Sequence, residues 1–237
     1  MQITIVCDNN AGKDGLETGW GFSCLVSGGE KTILFDTGPG RLLLDNMERL
    51  EIEPGSIDVV VLSHIHGDHT GGLDGFLGRN PEVSVYLPVS FPKQVKDGVA
   101  RYGAEVIEVK EPVKICRDVY SVGQVGRLIK EQALVVRTEA GPVLIVGCAH
   151  PGVAKFVNAS RKLLNSDIFL VIGGFHLEWA AGGRIRRVIS ALKESGVRYV
   201  GACHCCGDKS RRLFEEQFGE KFINLGAGRM IRPGDLH

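Results

Sequence analysis

Short apolar runs, separated by Gly, Asp and Ser, predict a fold that mixes strands with helices. Runs rich in Val, Ile and Phe have the composition of strands. Longer segments that repeat an apolar residue every three or four positions have the pattern of amphipathic helices. We expect strands at Gln2–Cys7, Phe22–Val26, Thr32–Phe35, Asp58–Leu62, Val83–Tyr86, Glu105–Val109, Ala133–Thr138, Val143–Val146, Ile168–Ile172 and Tyr199–Ala202. We expect helices at Arg41–Leu50, Val153–Leu164, Arg184–Ser195 and Ser210–Phe218.

The order of these elements predicts sheets covered by helices. In the first half of the chain, strands follow one another through polar turns such as Ser27–Glu30, whereas strands and helices alternate in the second half. An α/β or α+β layering buries the apolar face of every element in such an order. The 237 residues contain no internal repeat, low-complexity tract or Pro/Ser-rich linker. We therefore expect one domain over residues 1–237.

The charge balance and the lack of long apolar runs exclude several classes of function. Lys and Arg total 28, Asp and Glu total 28, and the formal net charge is zero. A general nucleic-acid-binding protein carries a basic excess, and a membrane span needs roughly 18 consecutive apolar residues; the sequence has neither. Met1–Asn10 lacks the pattern of a secretory signal. We expect a cytoplasmic protein that acts on a small molecule, with the oligomeric state left open between a monomer and a homo-oligomer.

Seven cysteines, an odd number, argue against a disulfide framework in a chain of this length. Cys7 and Cys24 lie in apolar runs and are predicted to be small core residues. Four others flank histidines, where soft metal ligands, reactive thiols and packing are the alternatives, and we favour packing or support of metal ligands. These four are Cys148, Cys203, Cys205 and Cys206.

The histidines are the strongest indication of chemistry, because six of the seven lie in short segments flanked by Gly or Cys, and only His237 is a tail residue. Four potential metal ligands directly follow the predicted strand Asp58–Leu62. The first two of them are two positions apart and point the same way in extended backbone, and Gly67 then lets the chain bend. Imidazole and carboxylate suit zinc, iron or manganese, and two pairs of ligands favour two metal ions. The four residues are His64, His66, Asp68 and His69.

The order His64-x-His66-x-Asp68-His69 resembles the H-x-H-x-D-H signature of the metallo-β-lactamase superfamily, which includes glyoxalase II and ribonuclease Z. The resemblance covers about residues 3 to 232 and implies a four-layer αββα sandwich with the metals at one edge, between the two sheets. Other segments resemble the branch labelled 7,8-dihydropterin-6-methyl-4-(β-D-ribofuranosyl)aminobenzene-5′-phosphate synthase-like. Those segments are Asp8–Asn10, Gly19–Ser23, Phe35–Gly38, Cys148–Gly152, Gly173–Leu177 and His204–Gly207.

The resemblance also implies a ligand set for two divalent ions, with zinc as the first choice and manganese or iron as alternatives. It places one ion on His64, His66 and His150, and the other on Asp68, His69 and His204. Asp36 resembles a strand-end carboxylate that holds a ligand imidazole in place from behind.

Two departures from the superfamily pattern leave alternatives open. The segment Gly147–His150 offers no bridging Asp, so either His150 or Glu131 replaces a usual ligand, and Cys148 is a further ligand candidate. His176 resembles an additional histidine that ribonuclease Z uses near its metals, and it is a candidate ligand, general acid or oxyanion contact.

These residues predict a metal-dependent hydrolase that uses a water activated by two metal ions. Asp68 binds metal and orients the water in this hypothesis, and His176 protonates the leaving group or binds developing negative charge. Basic residues after His176 and His204 favour a phosphoester or another small anionic substrate, although a solvated helix face is the alternative. The basic residues are Arg184, Arg186, Arg187, Lys209, Arg211 and Arg212.

Phe175, Leu177 and Trp179 predict either an apolar wall for a heterocyclic substrate or plain core packing. Two other functions stay open. One is a pterin-biosynthesis-type synthase that acts on a ribofuranosyl-aminobenzene phosphate, as the branch label implies. The other is a metal-binding redox or sensor protein, which the cysteines around His204 would motivate.

Overall fold

Two β-sheets pack face to face in the computed structural model, which describes residues 1–236. The tail residue His237 lies outside the described residues. Among residues 1–236, no helix is long and apolar enough to cross a lipid bilayer. Strands and helices are numbered below in chain order.

The first sheet takes six strands from the amino-terminal half of the chain and one from the carboxyl terminus. Its strands are β1 (Gln2–Cys7), β2 (Ser23–Ser27), β3 (Ile33–Phe35), β4 (Val59–Val61), β5 (Ser84–Pro88), β6 (Glu105–Val109) and β13 (Met230–Ile231). They lie in the order β13-β1-β2-β3-β4-β5-β6. The pairs from β13 to β3 are antiparallel, and those from β3 to β6 are parallel.

The second sheet takes its strands from the middle and the carboxyl-terminal half of the chain. They are β7 (Val113–Cys116), β8 (Val119–Ser121), β9 (Leu134–Val136), β10 (Val143–Val146), β11 (Leu170–Gly174) and β12 (Tyr199–Cys203). The order is β12-β11-β10-β9-β8-β7. β10, β11 and β12 run parallel, whereas the pairs from β7 to β10 are antiparallel.

Helices cover the outer face of each sheet. The helices of the first half are α1 (Leu42–Arg49), α2 (Gly67–Thr70), α3 (Leu73–Leu77) and α4 (Lys93–Arg101). Those of the second half are α5 (Val153–Leu164), α6 (Gly182–Glu194) and α7 (Gly207–Phe218). Single 3₁₀ turns occur at Pro54–Ser56, His204–Cys206, Gly219–Lys221 and Pro233–Asp235.

Alternation of side chains along the strands divides the interior into three layers of apolar contact. In β3, for example, Ile33 and Phe35 join the core between the sheets, whereas Leu34 joins the core beneath α1 and α3. The same period of two places successive residues of β10 in the inter-sheet core and in the core beneath the helices of the second half. The result is the expected four-layer αββα sandwich. Cys7 and Cys24 are fully buried in it as free thiols, which confirms their prediction as core residues.

Every predicted strand and helix overlaps an observed one, and the elements that the sequence pattern did not predict are short or polar. β7 and β8 form a hairpin with the charged Arg117 and Asp118 between them, and β13 has only two residues. α4 buries a single side chain, Val99, so its apolar period is weak.

Polar loops converge at one edge of the sandwich. Strands β1, β3 and β4 of the first sheet and β10, β11 and β12 of the second all end at this edge. β3 pairs in parallel with β4, β1 runs the same way because β1 and β3 are both antiparallel to β2, and β10, β11 and β12 are parallel. Candidate functional side chains follow these six strand ends. They include Asp8, Asp36, His64, Cys148, His176 and His204.

Candidate metal centre

Three histidines from two sheets meet at the strand-end edge, and we call them the three-histidine set: His64, His66 and His150. One ligand atom of each lies within 4.8 Å of the others. Nε2 of His64 is 3.1 Å from Nδ1 of His66, and the ring of His150 lies 4.9 Å and 4.8 Å, centroid to centroid, from those of His64 and His66. His150 therefore groups with the two histidines of the loop after β4. It does not occupy a separate position between the two donor sets.

Glu131 holds His150 from behind. Its Oε1 accepts hydrogen bonds from the backbone N–H of His150, at 3.0 Å, and from Nδ1 of the same residue. This contact leaves Nε2 of His150 as the nitrogen that can bind a metal ion. Glu131 is fully buried, and its Oε2 has no hydrogen-bond partner within residues 1–236.

A second group of donors lies beside the first, and we call it the mixed set: Asp68, His69, Cys148 and His204. Nε2 of His69 is 3.2 Å from Nε2 of His204 and 3.2 Å from Sγ of Cys148. Sγ of Cys148 is 3.4 Å from Nε2 of His204. Oδ2 of Asp68 is 3.4 Å from Nε2 of His204 and 3.7 Å from Nε2 of His69.

Buried carboxylate and hydroxyl groups fix the orientation of two imidazoles. Nδ1 of His69 donates to Oδ2 of Asp36 at 2.7 Å, with both side chains fully buried. Ser63 donates its hydroxyl proton to the same oxygen at 2.6 Å, and its Oγ lies 2.9 Å from Nδ1 of His64, from which it accepts. Asp36 thus orients His69 directly and His64 through Ser63, and both rings keep a lone pair on Nε2.

Close packing behind Asp36 explains the glycine that precedes Cys148. A Cβ atom built on Gly147 would lie 2.2 Å from Oγ of Ser63 and 3.0 Å from Oδ2 of Asp36. Only glycine lets β10 end against this hydrogen-bonded pair, so that Cys148 reaches the mixed set.

The loop after β1 orients His204. Oδ1 of Asn9 accepts from Nδ1 of His204 at 3.0 Å, and Oδ2 of Asp8 accepts from its backbone N–H at 3.0 Å. Nε2 of His204 thereby keeps its lone pair as well. The roles of Asn9 and Ser63 were not predicted; the segment Asp8–Asn10 was noted only for its family resemblance, and nothing marks Ser63 apart from its place after a strand.

The electrostatics of the centre favour uncharged imidazoles at His64 and His66. Burial and the neighbouring imidazoles hold the pKa of His64 well below its ordinary value of 6.5, and burial and His150 lower the pKa of His66. Burial also acts to lower the pKa of His69, but the charge and hydrogen bond of Asp36 outweigh it and raise that pKa. Burial acts to raise the pKa of Asp68, but its interactions with His204 and His69 outweigh burial and lower the pKa to about 2.

The donor chemistry fits divalent metal ions. Nδ1 of His69 and of His204 each donates to an oxygen, so two nitrogen lone pairs face each other at 3.2 Å. Two lone pairs cannot hydrogen-bond to each other, and a cation between them removes their repulsion. Neutral imidazole, carboxylate and thiolate are ligands of zinc and of first-row transition metals.

His176 stands at the mouth of the centre. It is exposed, and its ring centroid lies 4.4 Å from that of His150. Together with the buried Cys148 and Cys205 it forms a further group whose ligand atoms lie within 4.8 Å of one another. A hydrogen bond with Cys205 raises the pKa of His176, and a hydrogen bond with Cys205 together with burial raises the pKa of Cys148.

A small cleft of about 130 Å³ opens beside His176. Trp179 is 91% exposed and Trp20 is 50% exposed, whereas Phe175 and Leu177 are buried in the core, so only Trp179 of the predicted apolar wall faces solvent. Of the basic residues after His176, only Arg184 reaches the cleft; Arg211 instead bonds Asn10, Asn224 and Leu225. The cleft is lined by Trp20, His176, Glu178, Trp179, Ala180, Arg184 and Cys205.

Two packed sheets with clustered histidine, aspartate and cysteine donors at one edge define a class of protein. Residues 21–161 match the family model for the metallo-beta-lactamase superfamily, which is more than half of the chain, and the chain belongs to that superfamily. Members of the superfamily are mostly enzymes and typically bind metal ions.

Individual relatives extend the likeness over nearly the whole chain. A 7,8-dihydropterin-6-methyl-4-(beta-D-ribofuranosyl)-aminobenzene-5′-phosphate synthase of Methanocaldococcus jannaschii is 32% identical, with 87% of this chain and 86% of the relative covered. The crystal structure of a metal-dependent hydrolase of the beta-lactamase superfamily superposes with a TM-score of 0.83 at 28% identity and 98% coverage of both chains. Human short-form tRNase Z shares the fold, with a TM-score of 0.66 at 14% identity, over 98% of this chain and 99% of that one.

Proposed function

We propose that this chain is a metal-dependent hydrolase that directs water onto a phosphoester or another small anionic substrate. The observation that carries the proposal is the contact between the two donor sets, in which ring centroids of His64 and His69 lie 4.2 Å apart. Two divalent ions, zinc first and manganese or iron as alternatives, would be held side by side there. The similarity to a metal-dependent hydrolase over 98% of both chains supports the same reading.

The residues of the centre would have separate roles in this reaction. When bound, two divalent ions supply Lewis acidity and make water nucleophilic near neutral pH. Asp68 stays ionised, and its side chain is 20% exposed, so its carboxylate can bind metal through one oxygen and orient the attacking water through the other. Asp36, Glu131 and Asn9 hold the ligand imidazoles and take no direct part.

We assign His176 to the leaving-group side of the reaction. It is exposed at the cleft, next to His150, and its backbone N–H bonds Sγ of Cys205 at 3.2 Å, which fixes the loop that carries it. From there its ring can protonate the leaving group or contact the developing negative charge. Arg184 on the cleft wall would bind the anionic part of the substrate.

A synthase reaction is the second candidate, and two observations favour it. The relative at 32% identity is a synthase whose product joins a dihydropterin to a ribofuranosyl-aminobenzene phosphate. The cleft also presents two Trp side chains, Trp20 at 50% and Trp179 at 91% exposure. Exposed aromatic side chains of this kind suit stacking against a planar heterocycle.

One pair of assays separates the candidates. The protein is stripped of metal, reloaded with zinc or manganese and assayed for hydrolysis of bis(p-nitrophenyl) phosphate, with His64→Ala as the matched control. We expect hydrolysis by the loaded protein and none by the variant. Absence of hydrolysis, together with coupling of the ribofuranosyl-aminobenzene phosphate to a 7,8-dihydropterin with a leaving group on its 6-methyl carbon, would overturn the hydrolase proposal in favour of the synthase.

A further inference from the structure

We infer that Cys148 is the fourth protein ligand of the metal ion held by the mixed set, which gives the two ions unequal coordination. The inference deepens the proposed function, because it rests on metal binding at the same centre. It differs from a supporting role for Cys148, such as packing behind the ligands.

Distances between donor atoms carry the inference. A tetrahedral zinc ion with nitrogen or oxygen ligands at about 2.0–2.2 Å and sulfur at about 2.3 Å separates its ligand atoms by about 3.3–3.6 Å. In the mixed set, the three separations among Nε2 of His69, Nε2 of His204 and Sγ of Cys148 are 3.2, 3.2 and 3.4 Å. Oδ2 of Asp68 lies 3.4 and 3.7 Å from the two nitrogens. The five edges, from 3.2 to 3.7 Å, thus lie within about 0.1 Å of the range for a zinc tetrahedron.

The surroundings of Cys148 point the same way. Its side chain is buried, and its sulfur faces two imidazole nitrogens whose other nitrogens already donate to Asp36 and Asn9. Those Nε2 atoms offer lone pairs and no proton for the sulfur to accept. When a cation binds, the thiol loses its proton to solvent and the sulfur binds as thiolate, since a coordinating thiol is deprotonated.

Four protein ligands would fill a tetrahedral shell, as they do in closed zinc sites, whereas catalytic zinc keeps one position for water or substrate. The three-histidine set has only three protein ligands. The open position would then belong to the ion on His64, His66 and His150, and His176 and the cleft lie beside His150. The ion of the mixed set would then affect the chemistry indirectly, through its charge and its position beside the ion of the three-histidine set.

Cobalt substitution tests the ligand directly, without any assay of activity. The metal-free full-length protein is loaded with Co²⁺, and the near-ultraviolet thiolate-to-cobalt charge-transfer band is recorded for the wild type, Cys148→Ser and Cys205→Ser. We expect the band in the wild type, its loss in Cys148→Ser and its retention in Cys205→Ser. A band of equal intensity in Cys148→Ser, or no band in a wild type that has bound cobalt, would overturn the inference.

A wild-type measurement keeps the test valid if Cys148→Ser fails to fold. Zinc X-ray absorption of the loaded wild type should show a sulfur shell at about 2.3 Å, with one sulfur for every two zinc ions. A shell of nitrogen and oxygen alone would contradict it. Both readouts are independent of turnover, so a protein that binds metal through Cys148 yet fails to hydrolyse any ester would refute the proposed function and leave the ligand assignment standing.

Discussion

Oδ2 of Asp36 lies 2.7 Å from Nδ1 of His69, and the same oxygen accepts the hydroxyl proton of Ser63, whose Oγ contacts His64. One buried carboxylate at the end of β3 thereby orients an imidazole in each donor set. Asp36 sits at φ 58°, in the left-handed region that few non-glycine residues adopt, so the backbone accepts strain to present it.

Replacing Asp36 with Asn should weaken metal binding at both donor sets. The amide keeps the shape of the side chain but replaces one acceptor oxygen with an N–H donor. Oδ1 of Asp36 accepts from the backbone N–H of Ser63, and Oδ2 accepts from His69 and from the Ser63 hydroxyl, so either orientation of the amide places a donor against a donor. Loss of such a supporting hydrogen bond lowers metal affinity by about 10–100-fold. Competition with a chromophoric chelator measures this, and an affinity equal to that of the wild type would contradict the role of Asp36.

Glu131→Leu should affect the three-histidine set alone, because leucine cannot accept either of the hydrogen bonds that Oε1 of Glu131 receives from His150. The carboxylate of Glu131 accepts from both the backbone N–H and Nδ1 of His150, whereas no contact joins it to His69 or His204 among the hydrogen bonds of residues 1–236. We expect one of two metal ions to be lost about 10–100-fold more readily to a chelator, with the other unchanged. The matched control is Glu139→Leu at an exposed position, which should keep both ions. Equal loss of both ions in Glu131→Leu would argue against a local role.

His176→Ala should slow hydrolysis in a way that depends on the leaving group. A proton donor matters most for an alkoxide leaving group and little for p-nitrophenolate, which departs without protonation. General acid catalysis contributes about 10²–10⁴-fold, so kcat for an alkyl phosphodiester should fall by at least about 10²-fold while the p-nitrophenyl ester changes little. Equal losses for both esters would assign His176 to binding instead.

The metal-free protein should lose stability as the pH falls below 6.5. In that range His64 becomes protonated in the unfolded chain but stays neutral in the folded chain, because burial and the adjacent imidazoles hold its folded-state pKa well below 6.5. Proton binding then favours the unfolded state. His66 acts in the same direction, whereas the raised pKa of His69 adds stability that is present below 6.5 and lost as the pH rises through its folded value.

Urea denaturation of the metal-free protein at several pH values checks this. As the pH falls below 6.5, the free energy of unfolding should decrease less in His64→Asn than in the wild type. An unchanged slope in the variant would mean that His64 is not held uncharged in the folded chain.

Much of the fold was predictable, because burial imposes a clear period on the sequence. The parallel strands β3, β4, β10 and β11 are apolar throughout, and α5 repeats Val153, Phe156 and Val157 on its buried face. The hairpin β7–β8 and the helix α4 escaped prediction because they bury few side chains and lie at the polar margin of the fold.

The candidate ligand residues could be named from their spacing and resemblance, but the residues that orient them could not. Asn9 and His204 are 195 positions apart, and Glu131 and His150 are 19 apart, so only the assembled strand ends bring them together. Between His150 and Glu131 as the replacement ligand, the geometry favours His150, which lies with His64 and His66 while Glu131 bonds the far side of its ring. Cys148, not His150, contacts His69 and His204.

The central claim is that two separate donor sets each hold one metal ion, and counting metal ions per chain tests it most directly. Inductively coupled plasma mass spectrometry should find two divalent ions in the loaded wild type, one in His64→Ala and one in His204→Ala, since each variant removes a ligand from one set only. Circular dichroism and the thermal midpoint of each variant confirm that it is folded. A wild type without bound metal, or two ions retained in either folded variant, would contradict the claim.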